Sequence, residues 1–311
     1  MKRTQRLCKI LIISKIDGTT IEKLGNLGNV TYAPNPPKSD LIKLIKHANV
    51  VILRSGISLD SEVINSAKEL RVIARAGVGL DNINISAAKK NGIIVFNVPG
   101  LSARSVAELN LLLMLALNRK LIRANDSTKR GLWEKDQLMG NLISGKTVGI
   151  IGLGNIGLEL AKICTLLGMK VIAAVRAKTP EVLSISNDLD LRICDLRTLL
   201  SESDFVTLHV PLTDDTKGMI SSEELKLMKR NAFLINTARA EIVDENALRK
   251  ALLNKQIAGA ALDVFHTDSP QLRAIKNVIL TPHVGAQTFE VQEQIGATLL
   301  SRLKTILEEA R

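Results

Sequence analysis

Thr147-Val-Gly-Ile-Ile-Gly152-Leu-Gly154-Asn-Ile-Gly157 is the stretch on which the fold turns. Its first five residues read as a buried β-strand. Three glycines spaced G-x-G-x-x-G follow at once, and a helix opens after them. Alone that spacing is a weak signal, but between a strand and a helix it is a dinucleotide-binding fingerprint. Gly152 permits the tight turn, Gly154 lets a pyrophosphate approach the backbone, and Gly157 lets helix and strand pack closely. The amides of Asn155 and Ile156 then point at phosphate from a helix N-terminus.

Working outward, the second strand of this unit runs from Val171 to Val175. NAD-preferring sites place an acid about here, roughly 20 residues on, to bind the ribose 2′-OH. Val175 stands there instead, followed by Arg176-Ala-Lys178. Arg176 and Lys178 can receive an adenosine 2′-phosphate or form an ordinary solvated basic turn, so both cofactors stay open. Further strands are expected at Phe205–Val210, Ala232–Asn236, Ala258–Asp263 and Val278–Leu280. Helices are expected at Ser221–Met228, where Ser221-x-x-Glu224 can cap, and at Glu245–Leu253. A closing helix is expected from Thr288 to Ala310. Upstream, strands are expected at Ile10–Ile13, Val50–Leu53, Val72–Ala74 and Ile93–Phe96, with helices at Leu41–His47 and Ser61–Lys68. Strands alternating with helices imply parallel sheets covered on both faces. Asn97-Val-Pro-Gly100 breaks the pattern. A long helix follows, with Ser105-x-x-Glu108 read as its capping box. From Leu109 to Leu117, interrupted by Asn110, it is apolar almost all round. That suits burial from several sides, at a domain junction or a subunit interface.

The 311 residues suffice for about two domains, and 46% of them are hydrophobic, which excludes disorder. Aromatics are 2%, which argues against a base-stacking surface for single-stranded nucleic acid. The net charge of +11 favours an anionic partner of some kind, from a small phosphate to a polyanion. Lacking a recognition motif, the chain is not expected to bind nucleic acid. Cys8, Cys164 and Cys194 are scattered, so neither a disulfide framework nor a metal site is expected, and a reducing compartment is. No apolar run reaches the ~20 residues of a membrane span. The protein is read as soluble and cytoplasmic.

The ordered series of motifs resembles the D-isomer-specific 2-hydroxyacid dehydrogenases, most closely their D-3-phosphoglycerate dehydrogenase branch. Its carriers are Arg54-Ser55, Ala74-Arg-Ala-Gly-Val-Gly-Leu-Asp-Asn82, Asn97–Gly100 with Ser105-Val-Ala-Glu108, Gly131-Leu-Trp-Glu134 and the fingerprint. Asn236-Thr-Ala-Arg239, Gly259-Ala-Ala-Leu-Asp-Val-Phe265 and Thr281-Pro-His-Val-Gly-Ala-Gln-Thr288 complete it. The fold expected is α/β with two doubly wound parallel-sheet domains. A Rossmann-type cofactor domain, residues 99–285, is inserted in a discontinuous flavodoxin-like substrate domain, residues 1–98 with 286–311 returning to it.

Moving a hydride to or from C2 of a hydroxy acid needs a proton acid/base, a cation at the substrate and a carboxylate behind the base. The resemblance assigns Arg239 as the cation, His283 as the acid/base and Asp268 as its partner. Asp268 departs from the family pattern: it stands where a glutamate is usual, and Ser269 is extra before Pro270. The resemblance implies that the cofactor meets Val175, Arg176, His209, Val210, Pro211, Thr237, Ala238, Asp263, Gly285 and Ala286 besides the fingerprint. The cofactor is NAD by family default, with NADP open from Val175 and Arg176. Substrate contacts are expected from the cations Arg54 and Arg75, from Ser55, and from the amides of Gly77 and Val78, since turn amides form anion nests. Lys135 is a further cation that a neighbouring subunit can contribute. The expected reaction is NAD(P)-linked oxidation of D-3-phosphoglycerate to 3-phosphohydroxypyruvate, the entry to serine biosynthesis, by a homodimer. No regulatory domain is expected after residue 311. The alternatives are a hydroxypyruvate/glyoxylate reductase and a nucleotide-sensing corepressor-like binding protein.

Overall fold

A computed structural model describes residues 8–266 and 270–309. The chain divides into two compact units, Met1–Ser102 with Gln287–Arg311, and Ala103–Ala286. Unit 1 alternates strand and helix: β1 (Cys8–Ile12), α1 (Gly18–Leu24), β2 (Gly28–Tyr32), α2 (Lys38–Ile45), β3 (Val50–Leu53), α3 (Ser61–Ser66), β4 (Val72–Arg75), α4 (Ile85–Lys90) and β5 (Ile94–Asn97). The strands pair in parallel in the order β2-β1-β3-β4-β5. That is the expected flavodoxin-like order, whose switch point lies between β1 and β3. β3 and β4 are buried at every residue, as strands covered on both faces must be. Helices α1, α3 and α4 start where a short acceptor side chain takes a free amide, whereas α2 starts after Pro37 without one. Asp17 accepts from Thr20 N at 2.8 Å, Asp60 from Val63 N at 2.9 Å and Asn84 from Ala87 N at 2.9 Å. Each cap contributes about 1 kcal/mol.

Unit 2 runs α5 (Ala103–Asn118), α6 (Leu121–Lys129), β6 (Thr147–Ile151), α7 (Asn155–Leu166), β7 (Lys170–Ala174), α8 (Pro180–Asp188), β8 (Arg192–Ile193), α9 (Leu196–Glu202), β9 (Phe205–Leu208), α10 (Ser222–Leu227), β10 (Phe233–Asn236), α11 (Glu245–Leu253), β11 (Gly259–Leu262), α12 (Pro270–Arg273) and β12 (Val278–Leu280). Its parallel sheet has the order β12-β11-β10-β9-β6-β7-β8. The direction of winding reverses between β6 and β9, so β6 starts two mononucleotide-binding halves. Successive strand residues feed opposite cores. Val148, Ile150, Val171 and Ala173 join one cluster with Ala107 and Leu113 of α5 and Leu160 of α7. Ile151, Ile172, Val206 and Leu234 join the other with Leu199 of α9, Leu225 of α10 and Leu248 of α11. The chain then returns to unit 1 with α13 (Phe289–Glu309).

The unit boundaries fall four residues and one residue later than the sequence predicts. Val98 N still bonds Gly77 O at 2.9 Å, which ties the segment before α5 to unit 1. Two readings of α5 are corrected. The helix begins at Ala103, so Ser105 lies inside it and is no cap; its hydroxyl donates to Gly285 O at 2.6 Å, and Glu108 pairs with Arg104. Nor is the apolar run buried all round: Leu113, Met114, Ala116 and Leu117 are buried, but Leu112 and Leu115 are exposed. The capping box at Ser221 and Glu224 forms as expected. Among the described residues, no helix is long and apolar enough to cross a membrane. Among them, no group of three or more His, Cys, Asp or Glu could hold a metal ion.

Candidate active site

Nearly all the unit 2 residues singled out by sequence follow the carboxyl ends of β6, β7, β9, β10, β11 and β12. In an open parallel sheet that edge is where ligands bind. Gly152 leaves β6 with φ +97°, a conformation that L side chains resist. A Cβ there would sit 2.8 Å from His209 O and 2.9 Å from Val210 Cγ1. Gly154 is the N-cap of α7 and has open space where a Cβ would point. A Cβ on Gly157 would collide with the carbonyl oxygen of Gly152. The three glycines thus make the turn, the open cradle and the close packing that a pyrophosphate at a helix N-terminus needs, so these residues fit a dinucleotide. Asn155 and Ile156 are the first residues of α7.

Val175 is half-buried at the end of β7. Arg176 is exposed and stands 3.5 Å from the exposed Asp215, a partner the sequence did not suggest. His209 follows β9; its Nε2 is buried with no hydrogen-bond partner among the described residues. Burial pushes its pKa down to about 3, so the imidazole is neutral. Pro211 O accepts from Thr216 Oγ1 at 2.6 Å, closing the next turn.

Two loops carry the proposed chemistry of this unit. After β10, the buried Asn236 folds the chain back on itself: its Oδ1 accepts from Ala238 N at 3.0 Å and its Nδ2 donates to Arg239 O at 2.8 Å. Arg239 is half-buried and donates from Nη1 to Ala238 O at 2.6 Å. Thr237 is buried between them. After β12, His283 is exposed and adopts φ +56°. A non-glycine residue in the left-handed region is strained unless its surroundings impose it. Here they do. His283 N bonds Asp263 O at 2.9 Å and Thr281 O at 3.0 Å. The buried Asp263 carboxylate takes three more donors: Thr281 Oγ1 at 2.6 Å, Val284 N at 2.8 Å and Gly285 N at 3.0 Å. Asp263, read from the family as a cofactor ligand, is therefore also the clamp of the histidine loop. Ala286 follows Gly285 at the end of the unit. Asp268 lies outside the described residues.

Helix α5 backs both loops. Ser105 holds Gly285 O, and Asn110 Nδ2 donates to Thr237 Oγ1 at 2.9 Å and to Val106 O at 2.8 Å. Asn110 is fully buried and its Oδ1 has no partner among the described residues. Such a group costs about 1–3 kcal/mol. The sequence signal was there, a single amide interrupting an apolar run, but period alone does not say where it points.

In unit 1, Arg54 and Ser55 follow β3 beside the switch point. Arg54 N donates to Ser14 Oγ at 2.9 Å, and its guanidinium reaches Lys15 O at 3.5 Å. With the Gln287 amide turned so that its oxygen faces the guanidinium, that oxygen accepts from Nη1 at 3.3 Å and Nη2 at 3.1 Å. Burial lowers the Arg54 pKa, yet an arginine keeps its charge. Arg75 ends β4, buried, and donates to Ala76 O at 3.0 Å. Gly77 leaves no room for a side chain beside that guanidinium, and Val78 next to it is exposed. Asn97 Nδ2 fixes this turn through Val78 O at 2.5 Å.

Known proteins share this fold. A profile described as "D-isomer specific 2-hydroxyacid dehydrogenase, NAD binding domain" matches residues 111–285. A hydroxypyruvate reductase of Thermotoga maritima is 44% identical over 272 residues, 86% of this chain and 87% of that protein. A D-3-phosphoglycerate dehydrogenase of Methanocaldococcus jannaschii is 41% identical over 304 residues; the match covers 97% of this chain but only 58% of that protein. The crystal structure of a Thermus thermophilus protein superposes with a TM-score of 0.89 at 32% identity, covering 97% of both chains. With several branches matching to similar degrees, the chain belongs to the D-isomer-specific 2-hydroxyacid dehydrogenase family and is an oxidoreductase of small 2-hydroxy acids.

Proposed function

We propose that the chain is a reductase of a small unphosphorylated 2-keto acid of the hydroxypyruvate or glyoxylate type, working with NADH or NADPH. The observation that carries this reading is the 44% identity to a hydroxypyruvate reductase along 87% of that protein's length. The nicotinamide nucleotide, held by Gly152, Gly154, Asn155, Ile156 and Gly157, supplies the hydride when bound. Arg239 places a cation where negative charge develops on the substrate oxygen. His283 gives that oxygen its proton, and Asp268 stabilises the imidazolium that must be present beforehand. In unit 1, the amides of Gly77 and Val78, with Arg54 and Arg75, are assigned to the carboxylate. Loop residues on a rigid sheet edge suit these tasks, because the scaffold fixes them without burying them.

A second reading is supported by a different observation. The run Gly285-Ala-Gln-Thr288 resembles the phosphoglycerate branch, and the match to a D-3-phosphoglycerate dehydrogenase spans 97% of this chain. Under it the substrate carries a phosphate, and the net charge of +11 offers cations enough. Steady-state turnover with four combinations decides: hydroxypyruvate or 3-phosphohydroxypyruvate, each with NADH or NADPH. A kcat/KM for the phosphorylated acid tenfold or more above that for the free acid overturns the first reading. Tight NADH binding without any turnover would favour the corepressor-like alternative.

The partner proposed is a second copy of the chain. Leu112, Leu115, Leu121, Ile122, Leu132, Trp133, Met139 and Leu142 are all exposed on α5, α6 and the segment after them. Large apolar side chains gathered on one stretch mark an interaction surface. Sedimentation of Trp133→Glu as a monomer, against a dimeric parent, is the expected result. The cytoplasm is the compartment proposed, three free thiols being its chemical sign.

A further inference from the structure

We propose that Asn110 is a positioning residue that turns the Thr237 hydroxyl into a hydrogen-bond donor aimed at the nicotinamide half of the cofactor. Val106 O can only accept, so the Asn110 group 2.8 Å from it is the nitrogen. The second hydrogen of that nitrogen goes to Thr237 Oγ1 at 2.9 Å. Thr237 therefore accepts on its buried side, and its own hydrogen has no acceptor among the described residues. A hydroxyl with one lone pair occupied is biased to donate in another direction.

Topology says what lies in that direction. The fingerprint loop follows β6, and the strands β7 and β8 on one side of it form the half that meets the adenosine ribose. β9, β10 and β11 lie on the other side and form the second mononucleotide half, which leaves them the nicotinamide. Thr237 is the first residue after β10. The turn that carries it is independently pinned by Asn236, so the hydroxyl is the one torsion left to set.

A buried amide oxygen without a partner is a cost that a purely structural residue has no reason to carry. Along α5 the other buried positions nearby are Leu113, Met114 and Ala116, and Leu at Asn110 would remove the unpaired amide oxygen, leaving only the Thr237 hydroxyl without its donor. A local rule broken in a well-packed helix is expected where function needs it. The inference rests on the proposed role of the Thr237–Arg239 turn at the cofactor, but not on which acid is the substrate.

The test uses the full chain and its Asn110→Leu, Thr237→Val and double variants. Calorimetry measures binding of NADH (or NADPH, whichever the parent binds more tightly) and of ADP-ribose, which lacks the nicotinamide. One oriented neutral hydrogen bond corresponds to about a three- to tenfold change in Kd. Each single variant should weaken the dinucleotide by that factor and leave ADP-ribose within twofold. The double variant should be no weaker than Thr237→Val, and Thr237→Ser should restore the parent value. The thermal midpoint of Asn110→Leu should not fall. Unchanged dinucleotide affinity in Asn110→Leu overturns the proposal. So do additive effects in the double variant, or equal losses for both ligands with a lowered midpoint, which would mark a packing residue. Because these arms need no turnover, they stand even if neither hydroxypyruvate nor glyoxylate is reduced.

Discussion

Replacing Asp263 by asparagine tests whether that carboxylate is a clamp of the histidine loop or only a ligand of the cofactor. The substitution keeps the size and shape of the side chain. It turns one acceptor oxygen into a donor NH2. If the NH2 takes the Oδ2 position it faces Gly285 N–H, which the carboxylate now receives at 3.0 Å. If it takes the Oδ1 position it faces both Thr281 Oγ1 at 2.6 Å and Val284 N at 2.8 Å. The first orientation is the cheaper. It loses one charge-assisted hydrogen bond, about 1.5–3 kcal/mol, and strands a buried amide at a further cost within the ~1–3 kcal/mol range for such groups. These overlap in part, so about 3 kcal/mol is expected. For a unit of this size that lowers the thermal midpoint by roughly 6–12 °C. Scanning calorimetry of the protein without nucleotide is the assay, because a ligand-only role predicts no change in the apo midpoint. The left-handed backbone of His283 loses one neighbouring restraint, the bond at Gly285 N, so kcat should fall as well. An apo midpoint within 2 °C of the parent would refute the reasoning and leave Asp263 as a cofactor contact alone.

Arg239→Ala should lower kcat/KM by on the order of 10²-fold or more with the fold intact, since the cation meets charge that develops in the reaction; steady-state kinetics checks it. Val175→Asp should shift the ratio of kcat/KM values at least tenfold toward NADH, by accepting from the ribose 2′-OH and repelling a 2′-phosphate. Arg176→Ala should selectively weaken NADPH, its exposed pairing with Asp215 being too weak to hold it back. His209 makes stability pH-dependent. Its folded pKa is pushed down to about 3, below the unfolded ~6.5, so the unfolded state binds the extra proton and stability falls as pH drops below ~6.5. That loss is about 2 kcal/mol between pH 6.5 and 5, and urea titrations of His209→Gln at the two pH values should show it abolished.

Most of the architecture was legible because buried parallel strands announce themselves as apolar runs. Val50–Leu53, Thr147–Ile151 and Val278–Leu280 were read with the ends they have in the structure. β2 and β8 do not stand out in the sequence. Gly28-Asn-Val-Thr-Tyr32 and the two residues Arg192–Ile193 lie at sheet edges, pair on one side only and need no continuous apolar stretch. Helix α1 is short and declares itself only through the Asp17 cap.

The site divides along a similar line. Glycine spacing is legible because each glycine answers to a backbone constraint that only glycine meets, and all three constraints recur around Gly152, Gly154 and Gly157. What holds the reactive loops is not legible, because those bonds join residues far apart in sequence. Ser105 reaches Gly285 across 180 positions and Asn110 reaches Thr237 across 127. A serine three residues before a glutamate reads as a cap when only local spacing is available, and in α5 that reading fails because the helix starts earlier. The same logic explains why α5 carries polar groups that its own stability does not require. One edge of it faces the aliphatic core of the sheet, as its sequence suggests, while Ser105 and Asn110 meet the two loops on which the proposed chemistry depends. A helix that were merely packing would be better served by alanine and leucine at both positions, so the polar interruptions of its apolar run are where the fold hands over to the function.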